Sequence, residues 1–381
     1  MLLKCWGMGS KVRWVKLGPY IEQLYERNTD NLYGESEAIG VNIDKVIRPM
    51  QGHLENKRFD TFFVVKPNNF VYNPRGSRKL GLGFNDTNNT YITTFNNVVF
   101  QIKDNVFDII PEYVFLILSR KEWDRQAEYM SWGSSTEVFT WNTLCDVQIP
   151  LPSPEEQQKV VNVWKACKEI KEQNEAKAAP LIQLCQSYIQ ELKHKYPAQE
   201  IGPYLEECNN RNTDGIFAEE SVRGLATSKG MIDTKANLEG VSLNSYKIVR
   251  PKEIAYVPDT SRRGDKVSLG MNDTDHSLLV SSISCVFKSR DEETLSPEFL
   301  CLWFCRPEFD RYARFHSWGS ARETFSFEDM KRTKVPLPPI DEQRAIVNIY
   351  KCAYGAKQIA EEADKLSRAV CPALIQHVIH S

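Results

Sequence analysis

The chain has 381 residues, 41% of them hydrophobic and 26% charged, with a formal net charge of −2. That balance is globular, and it excludes a disordered chain or a fibrous repeat. No stretch approaches the ~20 apolar residues a bilayer span needs. Met1 to Trp14 holds Lys4, Lys11 and Arg13 but no apolar run of signal-peptide length, so a cytoplasmic location is expected. Ten cysteines without a C-x-x-C pair fit reduced, mostly buried thiols. Cys301 and Cys305, four apart, read as two small residues on one helix face rather than a metal site, because no further His or Cys completes a tetrad.

The first legible elements come in pairs. Gly18-Pro19-Tyr20 and Arg27-Asn28-Thr29-Asp30 return as Gly202-Pro203-Tyr204 and Arg211-Asn212-Thr213-Asp214 at an offset of 184. The offset persists from Val65-Lys66-Pro67 to Val249-Arg250-Pro251. It becomes 187 at Asn85-Asp86 and Asn272-Asp273, and 186 at Ser131-Trp132-Gly133-Ser134 and Ser317-Trp318-Gly319-Ser320. One unit is therefore written twice, and each copy is long enough to bury its own core.

Within the first copy, Thr61 to Val65, Phe70 to Tyr72, Tyr91 to Phe95 and Val98 to Phe100 are rich in aromatic and β-branched residues and predict short strands between Asn, Gly and Pro punctuation. A helix is predicted from Pro111-Glu112, and from Ser296-Pro297-Glu298 in the second copy, each running into the Ser-Trp-Gly-Ser loop. A strand-like run then reaches Ile149 to Pro152, or Val335 to Pro338, where closely spaced prolines are expected to stop any ladder.

Ser153-Pro154-Glu155-Glu156-Gln157 caps a long helix whose apolar positions Val160, Val163, Cys167 and Ile170 step by three and four. Pro180 is expected to interrupt it. Residues 155–179 would span about 37 Å at ~1.5 Å per residue, which is about one turn of B-DNA, so that the helices could act as a ruler between two heads. In the second copy the seam is Ile346, Ile349, Ala353, Ala356, Ala360 and Ala363, whose small side chains would admit a facing helix closely. An amphipathic helix packed on its own head is the alternative reading of either stretch. If the first helix leads out and the second returns, the two are antiparallel and the C-terminus comes back beside the first head.

No P-loop, G-x-G-x-x-G fingerprint, H-E-x-x-H pair or G-x-S-x-G elbow occurs, and Gly81-Leu82-Gly83 is too short to carry one. Asn73-Pro74 lacks the Pro-aromatic that would continue an amino-methyltransferase motif, and the six histidines have no partnered Cys or Ser. No catalytic site is read from the sequence.

The order of parts is distinctive: a variable head, Pro-Leu-Pro at Pro150 to Pro152 with Pro-Glu-Glu-Gln at Pro154 to Gln157, a long helix, a second head, Pro336 to Gln343, and a second long helix. This resembles the specificity subunit of type I restriction-modification systems, over nearly the whole chain. The second spacer departs from the first, with 29 residues from Gln343 to Pro372 against 23 from Gln157 to Pro180.

The resemblance implies a mixed α+β (α/β) fold: two repeated target recognition domains with β-rich cores (residues 1–152 and 197–338), joined by two long antiparallel coiled-coil spacer helices (153–196 and 339–381) in pseudo-two-fold arrangement. It implies a non-catalytic reader of a split double-stranded DNA site. Two methyltransferase subunits would dock on the helices, and restriction/translocase subunits would join them. No cofactor is expected in this chain; S-adenosylmethionine, ATP and Mg are expected on the partners, and no metal here.

Comparing the two copies separates roles. Blocks kept in both copies should be scaffold or backbone contact, and blocks that differ should read sequence, which predicts an asymmetric target. The differing stretches are Arg75 to Lys79 against Asp259 to Arg263, and Gln51 to Lys57 against Lys235 to Asn244. Arg pairs well with guanine and Asn with adenine, and Ser in a Gly turn suits phosphate. The DNA-contact candidates are Arg75, Arg78, Lys79, Ser131, Gly133, Ser134, Arg262, Arg263, Lys266, Ser317, Gly319, Ser320 and Arg322. Trp132 and Trp318 are expected to pack beneath the turn. Arg125 and Arg311 are expected to face phosphate or to pair with Asp124 and Asp310. Val160, Val163, Cys167, Ile170, Ile346, Ile349, Ala353 and Ala356 are the candidates for partner-binding helix positions. The rival readings are a stand-alone nuclease or modification enzyme, a two-headed protein adaptor, and the specificity chain of a related, type IIB-like restriction class.

Overall fold

The computed structural model describes residues 12–52, 57–75, 79–131, 138–260, 266–320 and 322–380. The chain divides into two compact units, one made of residues 1–173 with 359–381, the other of 174–358. In chain order the first head contains β1 (Arg13–Lys16), β2 (Ile21–Leu24), β3 (Ala38–Val41), β4 (Ile47–Pro49), β5 (Phe63–Val65), β6 (Phe70–Tyr72), β7 (Leu82–Phe84), β8 (Tyr91–Thr93), β9 (Val98–Ile102), α1 (Pro111–Leu118), α2 (Lys121–Met130), α3 (Trp141–Asp146) and β10 (Gln148–Leu151). The long helix α4 (Pro154–Lys195) follows. The second head repeats the series as β11 (Ala198–Glu200), β12 (Leu205–Cys208), β13 (Arg223–Ala226), β14 (Gly230–Asp233), β15 (Lys247–Val249), β16 (Ile254–Tyr256), β17 (Leu269–Met271), β18 (Leu278–Val280), β19 (Cys285–Ser289), α5 (Pro297–Phe304), α6 (Pro307–Phe315), α7 (Phe327–Lys331) and β20 (Lys334–Pro336). The long helix α8 (Ile340–His380) ends it.

Each head is a helix layer on a sheet on a second sheet. In the first, the antiparallel sheet β2-β9-β6-β7 turns Phe70, Tyr72, Phe84 and Phe100 toward α1, while Val71 and Val99 face Ile39 and Val65 of the sheet β4-β3-β8-β5. Both faces of the central strands are covered, so they read as continuous apolar runs rather than as alternation. The second head repeats this with β12-β19-β16-β17. Ile254, Tyr256 and Phe287 face the helices there, and Ala255 and Val286 face the other way. Its second layer is less continuous: β13-β14 and β15-β18 are separate pairs, joined by a parallel bridge from Val222 to Leu279 where the first head has the parallel β3-β8 pairing.

The layers meet closely at Gly83 and at its counterpart Gly270. A Cβ on Gly83 would lie 2.5 Å from Ile47 Cγ1, and one on Gly270 would lie 2.7 Å from the Gly230 backbone. The second glycine of Gly81-Leu82-Gly83 thus serves sheet packing.

The polar residues that recur in both copies are buried and bonded. Asn28 binds Tyr33 through its backbone N–H and C=O, and Asn212 binds Phe217 in the same way. The amide of Asn85 donates to the carbonyls of Val65 and Asn89, and that of Asn272 to those of Val249 and His276. In the first turn of α4, Gln157 Oε1 accepts from Ile110 N at 2.9 Å, and its Nε2 donates to Asp108 O at 2.8 Å and Pro152 O at 2.9 Å. Gln343 at the start of α8 repeats all three bonds with Ser296, Thr294 and Pro338. Each latch joins the loop before a head helix to the root of a long helix, and it uses every hydrogen of the amide group.

Several expectations are corrected. The post-strand helix is two helices in each copy, broken at Ser119-Arg120 and at Cys305-Arg306. Pro307 starts α6, and proline cannot continue a preceding helix. The short helices α3 and α7 were not foreseen. Thr140 caps α3 and Ser326 caps α7, each accepting from the backbone three residues on. The prolines do not stop the ladder, since Pro150 pairs opposite Trp14 and Pro336 opposite Ala198; both ladders are two-stranded, where a missing N–H can face outward. Pro180 does not interrupt α4, which runs on for 42 residues, so residue 179 does not mark the helix end. Buried Ala178 and Cys185 on either side hold the helix through the proline, where packing outweighs its intrinsic cost.

The two long helices run antiparallel within each unit. In the first, Val160 and Val161 share the head core with Val378 and Ile379, and Lys171 meets Asp364 at 2.9 Å. In the second, Ile189 and Leu192 share a core with Ile346 and Val347, and Lys195 meets Glu342 at 2.8 Å. Packing on a helix's own head and packing on the returning helix therefore both occur. No described helix is long and apolar enough to cross a membrane.

Candidate nucleic-acid interface

In each head the hydrogen bonding brings described ends of the two loops singled out by sequence to one edge. In the second, Phe325 N donates to Pro258 O at 2.8 Å, Thr260 N donates to Glu323 O at 3.1 Å, and Thr324 forms antiparallel bridges with both Asp259 and Trp318. The strand leading into the Arg262-Arg263 loop is thereby zipped to the hairpin that carries Ser-Trp-Gly-Ser. In the first head Phe139 N donates to Pro74 O at 2.8 Å, the equivalent bond, so the Arg75 to Lys79 loop starts beside the segment that follows Ser131 to Ser134.

The far end of each loop is pinned from below. Lys45 Nζ donates to Leu80 O at 2.6 Å and to Asp124 Oδ1 at 2.5 Å, with both charged side chains largely buried. Lys229 repeats this with Val267 O at 2.6 Å and with Asp310, which also accepts from Val267 N at 2.9 Å. Both lysines have left-handed backbones, φ 62° and 67°, a conformation more usual for Gly or Asn in a tight hairpin. Burial pushes the Lys45 amine below its ordinary value, and Asp124 opposes that shift. Asp124 and Asp310 thus turn inward to these lysines rather than to Arg125 and Arg311. Arg125 stays exposed, 3.5 Å from Glu122.

Ser-Trp-Gly-Ser has its roles exchanged relative to expectation. Ser317 is buried; its Oγ donates to Ala313 O at 2.7 Å and accepts from Thr260 Oγ1 at 2.9 Å. Ser131 Oγ donates likewise to Ala127 O at 2.6 Å. A hydroxyl after the last helical turn satisfies a carbonyl the helix leaves open, so both serines anchor a helix end with their one hydroxyl hydrogen. Trp318, expected beneath the turn, is 68% exposed. Gly319 sits at φ 142°, and a Cβ there would collide with Arg322 O, so only glycine makes this hairpin.

Of the remaining candidates, Arg75, Lys79, Lys266, Gly319, Ser320 and Arg322 are exposed along these edges. Arg78, Gly133, Ser134, Arg262 and Arg263 lie outside the described residues, as does Trp132. Among the helix candidates, Val160, Cys167, Ile346, Ala353 and Ala356 are buried by the chain itself and Val163 and Ile349 are half-buried, so they are not open docking surface; Ile170 is exposed. Sequence reasoning missed Lys45, Lys229 and Thr260, and it quoted Gln157 and Gln343 without a role. Recurrence at the repeat offset was the signal for the lysines and glutamines.

The described cysteines are free thiols, and no cluster of metal ligands occurs among the described residues. Residues 269–363 match the family model of the type I restriction modification DNA specificity domain. That stretch, about a quarter of the chain, is what resembles the type I restriction-modification specificity domain. It is similar to the crystal structure of the S subunit of a type I restriction-modification system from M. genitalium, with a TM-score of 0.63 at 13% identity, over 98% of this chain and 97% of that one. The HsdS subunit from Thermoanaerobacter tengcongensis aligns over all of both chains at 16% identity with a TM-score of 0.36. No curated protein matches the chain by sequence. The matched stretch runs from β17 into α8, and the first head reproduces the same series of elements, so the specificity-subunit fold is present in both copies.

Proposed function

We propose that this chain is a specificity subunit that reads a bipartite, asymmetric DNA site, one half with each head, as the non-catalytic member of a restriction-modification complex. One observation carries the reading: in both heads a shared internal framework holds the described ends of two loops at one edge, where Lys79 recurs as the exposed Lys266 while Arg75 stands where the second copy has Asp259. Arg75 and Lys79 stand on one loop; Lys266 follows the other, whose flank is zipped to the hairpin carrying Ser320 and Arg322. Cations suit phosphate and guanine, and different side chains on one frame suit two different half-sites.

On this reading two methyltransferase subunits dock on exposed faces of α4 and α8. Restriction/translocase subunits join them, S-adenosylmethionine, ATP and Mg are bound by those partners, and the complex works in the cytoplasm. The test is base-modification sequencing of DNA from cells with and without this gene beside its partner genes. Loss of a single split methyl-adenine motif is the expected result. An unchanged methylome, together with DNA binding that does not respond to salt, would reject DNA reading in favour of a protein adaptor.

A further inference from the structure

One surface feature recurs in both heads and has no part in the framework. On α2, Trp123 and Ala127 are buried, and Arg125 and Tyr129 project from the opposite side; on α6, at an offset of 186, Phe309 and Ala313 are buried and Arg311 and Phe315 project. Residues four apart share a helix face, so each head shows a cation one turn before an aromatic. Tyr129 is 84% exposed and Phe315 is 77% exposed. A single exposed aromatic needs no explanation, but the same position exposed in two independently packed heads does. In the second head Trp318 follows three residues later, on the hairpin that Gly319 makes possible.

Around the second head's two rings the exposed cations are Arg311 and Arg322, and in the first Arg125 stands one turn before Tyr129 with Glu122 3.5 Å from it. Arg311 precedes Phe315 by one turn, and Arg322 closes the Trp318 hairpin beside Gly319. The Arg314 guanidinium is paired with Glu323 across the hairpin and neutralises its acid. The zipped flank of the arginine loop joins at Asp259 and Thr324. Large rings beside arginines, continuous with the loops proposed to read DNA, complement a polyanion that also offers flat apolar faces. Duplex DNA is that partner, since proteins that deform it insert apolar side chains against or between base steps while cations hold the neighbouring phosphates.

We propose that Phe315 and Trp318 in the second head, and Tyr129 in the first, wedge against base steps of duplex DNA, with Arg311 and Arg125 holding the flanking phosphates. This rests on the DNA-reading function above and adds local unstacking of the half-site. An aromatic contact of this kind is sequence-tolerant, because every base has a π-face, and its removal weakens binding by roughly 5- to 150-fold per ring.

The experiment uses the full chain and a duplex recovered by selection from a random-sequence pool, with thymine reactivity to permanganate reporting unstacking. Wild type should raise reactivity at a discrete step in each half-site. Phe315→Ala and Trp318→Ala should abolish it in one half-site and weaken binding about 10- to 100-fold without changing the salt slope, because no charge is removed. Arg311→Ala should lower that slope by about one. Trp318→Phe, which keeps a ring, should retain the reactive step and keeps the test alive if Trp318→Ala melts early. If the alanine variants keep wild-type affinity and reactivity, the wedge is wrong while DNA reading stands. The wedge is equally wrong if they lose only binding to the methyltransferase. If wild type selects no duplex at any salt, the DNA reading falls and the wedge with it.

Discussion

Lys45→Met tests whether the buried pair beneath the first loop is structural. The substitution keeps the stem but removes the ammonium that bonds Asp124 Oδ1 at 2.5 Å and Leu80 O at 2.6 Å. Side-chain exposures of 7% for Lys45 and 15% for Asp124 leave little water to replace it. Stranding a buried carboxylate costs about 3–5 kcal/mol, whereas replacing both partners by apolar groups is often near neutral. In Lys45→Met/Asp124→Leu only the Leu80 carbonyl is orphaned, at about 1–2 kcal/mol. That carbonyl is orphaned in both variants and cancels, so the double variant should be more stable than Lys45→Met by roughly 3–5 kcal/mol, a difference well outside additivity for independent sites. Urea denaturation of the four proteins of the cycle measures this, read from the transition that moves, since two units need not unfold together. If Lys45→Met costs under about 1 kcal/mol, or if the double variant is the sum of the singles, the pair does not hold the loop. A loop so loosened should also lose discrimination at one half-site only.

Other changes probe other parts of the frame. Gln343→Leu orphans one backbone N–H and two carbonyls at the root of α8, and should cost about 3 kcal/mol in denaturation; Gln343→Glu should be no better, because a carboxylate cannot donate to Thr294 O and Pro338 O. Gly319→Ala should cost about 1–3 kcal/mol in denaturation and also weaken DNA binding severalfold in filter binding by distorting the Trp318 turn. Burial raises the Asp364 carboxyl, but Lys171 and Arg368 outweigh it and hold the group below its ordinary value. Its stabilising contribution is then complete above the unfolded value near 4 and is lost as pH falls through the lower folded value. Acid titration of Asp364→Asn followed by helical circular dichroism should show a flatter limb below about pH 4 than wild type.

How much of the molecule was legible in the sequence depended on whether the physics was local. The duplication, the strands at Phe70 to Tyr72 and Val98 to Phe100, the helix starts at Pro111 and Pro297, and the long antiparallel helices all follow from periodicity, caps and repetition. The break at Ser119-Arg120 had no proline to announce it, and Pro180 announced a break that packing overrode. In the interface, the sequence could nominate loops rich in Arg, Gly and Ser, but not which side chains face outward. Ser317 and Trp318 are neighbours with opposite fates, because Ser317 ends a helix whose open carbonyl it fills while Gly319 turns the chain and leaves the indole outside.

Sequence by itself thus determined that two similar heads exist, that long helices follow them, and which loops vary between the copies, since repetition and periodicity are properties of the chain. Tertiary structure alone decided which charges are buried and which rings are exposed. Lys45 finds Asp124 across 79 residues, and Lys229 finds Asp310 across 81. The low dielectric that turns such pairs from surface ornament into structure arises only when the sheets close over them.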